Sequence, residues 1–301
     1  MHEEIYPIQY EQLIRKDTFM RITEECVACQ LKKQAARFTK PEEMEEVRRI
    51  IQERDENMST PYLSFLLNQL YQKYYGVTHP FTEQKKQYND LVLSMESALL
   101  SRIEETPDPV RTALFLARIG NYIDFGALAH VSEEEFLSLL SDPEISDEDE
   151  KTYRSFLEEC GKAKTFMLLA DNCGEIVLDK LLLRVLKERF SALQMTVLVR
   201  GAEVSNDATP EDAVYTGLQE YARILDNGEA IAGTVYERIP EEARKALDSS
   251  DVILSKGQGN YESLAGTGRH IFFLFLCKCR LFTERFHVPA LTGMFVEEGR
   301  P

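Results

Sequence analysis

The chain has 301 residues, 44% hydrophobic and 29% charged, a balance that supports packed cores and excludes a disordered or collagen-like polypeptide. Its formal net charge of −16 repels phosphate backbones and attracts divalent cations, and no basic patch offsets it, so nucleic acid is excluded as a partner. The first twenty residues carry no apolar signal core, and the longest apolar run, Ile271–Cys277, falls well short of the ~20 residues a bilayer requires, so the expectation is a cytoplasmic protein with no membrane partner.

Residues 1–160 read as helices. Pro41 opens a Glu- and Arg-rich segment to Glu56, with Met44, Val47, Ile50 and Ile51 at helical spacing. Pro61 starts a second helix, striped by Leu63, Leu66, Leu67 and Leu70. Leu91–Ile103 and Val110–Ile119 repeat the pattern, Pro143–Glu150 reads as an acidic break, and Thr152–Cys160 as a short last helix. Beyond residue 160 the apolar runs Thr165–Ala170, Met195–Val199, Ala222–Leu225, Val252–Ser255 and Ile271–Leu276 alternate with helical segments. Gly174–Glu175 opens the helix Ile176–Phe190, and Thr209–Pro210–Glu211–Asp212 has the order of an N-cap, a first-turn proline and two acids. Continuous apolar strands between helices predict an α/β fold. Its Rossmann-like parallel sheet core, residues 161–301, is covered on both faces, and residues 1–160 form a helical N-terminal domain or cap.

In such a sheet, ligands bind beyond the carboxyl ends of the strands. The first strand is followed by Asp171–Asn172–Cys173–Gly174–Glu175, the second by Gly201–Asp207 and the third by Asp226–Asn227–Gly228. The fourth runs into Lys256–Gly257–Gln258–Gly259–Asn260 and the fifth into Cys277–Lys278–Cys279. Any one of these is an ordinary turn sequence. Together they bring carboxylates, amides and lysines to one edge. Carboxylate and amide oxygens suit magnesium or manganese, the N–H groups of Gly174 and Glu175 open a helix and can meet a phosphate, and lysines neutralise phosphoryl oxygens.

These residues carry a resemblance. Asp171–Lys180, Asn206–Thr209 and Lys256–Glu262 resemble the corresponding segments of the metal-dependent damage-control phosphatases, long catalogued as domain of unknown function eighty-nine. Cys26–Val27–Ala28–Cys29–Gln30 and Gly120–Gly126 are similar to segments of its prokaryotic branch, so the matches span residues 26 to about 280. The resemblance implies a phosphomonoesterase acting on a small phosphorylated metabolite such as a sugar phosphate, supported by manganese, cobalt, nickel or magnesium. It implies a metal held by Asp171, Asn172 and Asp207, phosphate contacts from Lys256, Gly257, Gln258, Gly259, Asn260 and Lys278, and substrate hydroxyl contacts from Asn121 and Asp124. One eukaryotic branch has been described as a carboxyl methyltransferase, but no G-x-G-x-x-G follows the first strand here. A methyltransferase using an adenosyl cofactor and a non-catalytic phosphometabolite-binding protein stand as alternatives.

Several roles stay open at this level. Asp171 is a metal ligand or a nucleophile forming an aspartyl-phosphate. Asp207 is a ligand, or it assists the start of the Thr209 helix. Lys278 needs a partner at a strand end, and a bound phosphate or the solvent supplies one. Cys26 and Cys29 either join Cys277 and Cys279 in a zinc site or are buried thiols on a helix turn, the reading preferred here. Cys173 lies in the site turn. The five histidines show no metal-ligand spacing, and the sequence leaves the oligomeric state open.

Overall fold

The computed structural model describes residues 20–77, 81–120 and 145–299. Among the described residues six helices precede the sheet: α1 (Glu24–Ala35), α2 (Pro41–Gln52), α3 (Thr60–Tyr75), α4 (Thr82–Glu104), α5 (Pro109–Ile119) and α6 (Asp147–Cys160). The acidic stretch expected to break the chain instead supplies the first turn of α6. Ser146 caps it, Asp149 closes a capping box, and Asp147–Glu150 place negative charge at the positive end of the helix dipole.

The sheet comprises β1 (Thr165–Leu169), β2 (Gln194–Val199), β3 (Arg223–Asp226), β4 (Val252–Lys256), β5 (Ile271–Leu276) and β6 (Gly293–Glu298), in spatial order β3-β2-β1-β4-β5-β6. The first five strands are parallel, with Leu169 opposite both Leu198 and Ser255. β6 pairs antiparallel with β5 and was not expected, because Met294–Phe295–Val296 is a short apolar run. Among the remaining helices are α7 (Glu175–Arg189), α8 (Pro210–Tyr215), α9 (Glu241–Ser249), α10 (Gly257–Leu264) and α11 (Arg280–Phe286).

Alternation along the strands divides the core. Phe166, Leu168, Val197, Val199, Leu254, Phe272 and Leu274 face one side, where α4, α5, α6 and α7 pack. Met167, Leu169, Leu198, Ile253, Phe273 and Phe275 face the other, against α9, α10 and α11. Each fully buried Leu or Phe contributes roughly 1.5–3 kcal/mol. Helices on both sides of residue 160 thus share the first core. A separate cluster, Phe38, Val47, Ile51, Leu63, Leu67 and Leu70, joins the turn after α1 to α2 and α3. No helix among the described residues is long and apolar enough to cross a membrane.

Candidate active site

The strand order reverses between β1 and β4, so the loops after these strands diverge and leave a crevice at the carboxyl edge. Asp171 stands two residues beyond β1. The loop after β2 folds back onto it: Ala208 N–H donates to Asp171 O at 2.8 Å, Cys173 N–H to Asn206 O at 2.8 Å and Arg200 N–H to Ala208 O at 2.9 Å. Asn172 and Asp207 form an isolated antiparallel bridge. This stitching brings Asp171, Asn172 and Asp207 together. Asn172 Nδ2 donates to Asp171 Oδ2 at 2.8 Å.

Asp207 does not start the following helix. Thr209 and Asp212 close the capping box on α8, with Thr209 N–H donating to Asp212 at 2.9 Å. The Asp207 carboxylate instead accepts from Arg200 Nε at 2.6 Å, and Arg200 Nη2 reaches Asp171 Oδ1 at 3.1 Å. Gly257, at φ +78°, brings backbone against the same carboxylate: a Cβ there would lie 2.0 Å from Asp171 Oδ2.

Two groups expected to meet a phosphate, the Gly174 N–H and the Lys256 ammonium, are bonded within the protein. Gly174 N–H donates to Asn89 Oδ1 at 2.7 Å, and Asn89 Nδ2 donates to Asp212, which also pairs with Lys85 at 2.7 Å. Lys256 Nζ donates to Glu175 and Asp179, each at 2.6 Å, and to Ala117 O at 3.1 Å. Glu175 in turn accepts from Asn172 Nδ2 at 3.2 Å. The physical reason is desolvation: a fully buried ammonium needs carboxylate partners of its own. Asn260 is also internal, accepting from Arg200 Nη1 at 3.0 Å and donating to Lys256 O at 2.8 Å. Gly259 packs against Ala232, whose carbonyl would sit 2.0 Å from an added Cβ.

Lys278 is half-buried, and its backbone N–H donates to Gln258 Oε1 at 2.5 Å. Burial, reinforced by the charges of Asp207 and Glu175, pushes the Asp171 carboxyl well above the usual carboxylate range, and Arg200 and Lys278 oppose that rise. Burial likewise raises Asp179 against the pull of Lys256. Asn227, after β3, is a loop fastener, accepting from Gly201 N–H at 2.7 Å. Asn121 and Asp124 lie outside the described residues.

A cleft of about 490 Å³ lies on the far side of Asn89, lined by Lys85, Lys86, Asn89, Thr209, Asp212 and Tyr215 among others, and contains none of Asp171, Asn172, Asp207 and Lys278. The cysteines depart from the expected buried pair: Cys29 and Cys279 are exposed, Cys26 is half-buried and Cys277 is buried, because the flank of α1 carrying Cys29 and the turn before α11 face solvent. Among the described residues, the group of three potential ligands within 4.8 Å of one another is Glu159, His270 and Glu297. It lies at the opposite end of β5, with His270 Nε2 2.9 Å from Glu297 and Nδ1 3.5 Å from Glu159. Nothing in the chain order marks it, because its members come from three distant segments. Arg200 was also missed, although a charged residue directly ending an apolar strand is a visible signal.

Comparison with known proteins identifies the family. Residues 17–290 match the model of the damage-control phosphatase ARMT1-like domain. A damage-control phosphatase of Archaeoglobus fulgidus is 33% identical over 227 residues, covering 73% of this chain and 77% of that protein. A damage-control phosphatase of Pyrococcus horikoshii is 29% identical over 229 residues, covering 75% and 77%. The crystal structure of a family protein from Pyrococcus horikoshii superposes with a TM-score of 0.76 at 26% identity, covering 92% of this chain and 99% of that one. With the family model matched along most of its length and this similarity in fold and sequence, the chain belongs to the damage-control phosphatase ARMT1-like family.

Proposed function

We propose that this protein is a metal-dependent phosphomonoesterase that hydrolyses a small phosphorylated metabolite such as a sugar phosphate. The observation that carries the reading is the stitched loop pair, which holds two carboxylates and an amide together at the carboxyl edge of the sheet. That donor set fits a divalent ion: Asp171, Asn172 and Asp207 would hold it through hard oxygen atoms. The local charge fits as well. Four acidic side chains, Asp171, Glu175, Asp179 and Asp207, face three basic ones, Arg200, Lys256 and the rim Lys278, so acidic groups outnumber basic ones. An ion held there would supply Lewis-acid polarisation of the phosphoryl oxygens and neutralise charge in the transition state.

The chain's own residues supply the rest. Lys278 at the rim binds the substrate phosphate, and Gln258 fixes the backbone that carries it. Lys256 and Glu175 hold Asn172 from beneath rather than touching substrate. The test is a screen of sugar phosphates and related monoesters with manganese, cobalt, nickel or magnesium added singly. Phosphate release that requires an added ion and stops on chelation is expected. Release indifferent to chelation, or methyl transfer from an adenosyl cofactor without phosphate release, contradicts the reading.

A further inference from the structure

Arg200 follows β2 directly, and its guanidinium is 1% exposed. Its three donor nitrogens reach three different segments: Nε to Asp207 at 2.6 Å, Nη2 to Asp171 at 3.1 Å and Nη1 to Asn260 at 3.0 Å. Asn260 is itself fixed. Its Nδ2 donates to Ala170 O at 3.1 Å and Lys256 O at 2.8 Å, and its Oδ1 also accepts from Thr234 Oγ1 at 2.8 Å. The fork is therefore anchored to the backbone at the ends of β1 and β4, the two strands flanking the crevice.

A point charge would neutralise Asp171 and Asp207 equally well. It would not hold two carboxylates from separate loops in one mutual orientation while bearing on a third, uncharged acceptor. A planar guanidinium does this because its donors have a fixed angular relation, which a lysine ammonium lacks. We infer that Arg200 is a positioning residue: its three-point fork, rather than its charge, sets Asp171 and Asp207 in the relative geometry that phosphoryl chemistry uses. The inference rests on the proposed phosphatase reading and adds to it a residue that acts through the carboxylates without touching substrate.

Arg200→Lys separates shape from charge. Wild type and variant are compared for manganese binding by calorimetry, for kcat and KM with p-nitrophenyl phosphate and manganese, and for melting in chelator. The expected result is a folded variant whose kcat falls by about 100-fold or more, with KM changed less than about 3-fold and manganese affinity weakened by about 10-fold, because fork geometry is lost while the charge stays. A merely structural arginine would move the melt and leave kcat of the folded fraction intact. Variant kcat within about 3-fold of wild type overturns the inference. Should Arg200→Lys fail to fold, Asn260→Ser carries the test: it removes the third anchor and leaves both carboxylates and the guanidinium in place. A fall in kcat of about 10-fold at constant KM is expected there, and an unchanged kcat overturns the inference. Wild-type protein that neither binds manganese nor releases phosphate defeats the phosphatase reading itself and the inference with it. A working wild type with an equally active variant defeats the Arg200 assignment alone.

Discussion

The Lys256 ammonium and the Glu175 carboxylate meet at 2.6 Å with neither side chain exposed to solvent. Asp179 completes the group from the next turn of α7, also at 2.6 Å and unexposed. Removing the cation leaves two buried carboxylates without their partner. Breaking a buried pair in this way costs about 3–5 kcal/mol. Lys256→Met is therefore expected to melt far below wild type in chelator, measured by circular dichroism. A lysine serving mainly as a phosphate ligand would leave that melt nearly unchanged.

Gly257→Ala tests the close approach at Asp171. The added Cβ would fall 2.0 Å from Asp171 Oδ2, at a backbone φ of +78° that L residues seldom adopt. The expected outcome is a loss of stability of about 1–3 kcal/mol and a larger loss of manganese affinity, because the carboxylate must turn away. Urea unfolding in chelator and calorimetry with manganese read the two effects separately. Wild-type affinity in the variant would remove Gly257 from any role in shaping the site.

Glu262, on α10, gives a pH-dependent prediction remote from the carboxylate pair. Glu262 is half-buried, and loss of hydration around its carboxyl pushes it up to about 7 from an ordinary 4.5, with a hydrogen bond from Thr60 and the charge of Lys33 opposing the rise. The folded state thus keeps a proton that the unfolded chain has lost. The stability this contributes is complete below the unfolded value and is lost as pH rises through the folded one. Glu262→Gln, a permanent mimic of the protonated form, should gain on wild type across that window. It should melt roughly 2–4 °C higher at pH 8, with the advantage vanishing toward pH 4. A difference independent of pH would mean that Glu262 does not titrate there.

The five parallel strands and their shared edge were legible because buried parallel strands are continuous apolar runs with polar residues at their ends. The antiparallel β6 escaped because its apolar run is short. The chain order placed Asp171, Asn172 and Asp207 at one edge, and the fold sets them side by side. What the chain order concealed was direction. Lys256 and Glu175 each sit in a motif consistent with phosphate binding, yet their charges close on each other across 81 positions of sequence. Asn89, which holds the Gly174 N–H from 85 positions upstream, carried no local signal. Motifs place residues at an edge, whereas burial decides which of them point into solvent.

The most direct measurement is phosphate release across a manganese titration for wild type and Asp207→Asn, with melts in chelator as the folding control. Asn keeps the size of Asp207 and removes one charge, and α8 keeps its Thr209–Asp212 cap. The account predicts a folded variant that needs far more manganese than wild type and turns over more slowly even at saturation, because one of two ligand carboxylates is gone. Wild-type release by the variant at low manganese would contradict the account and take Asp207 out of the metal site.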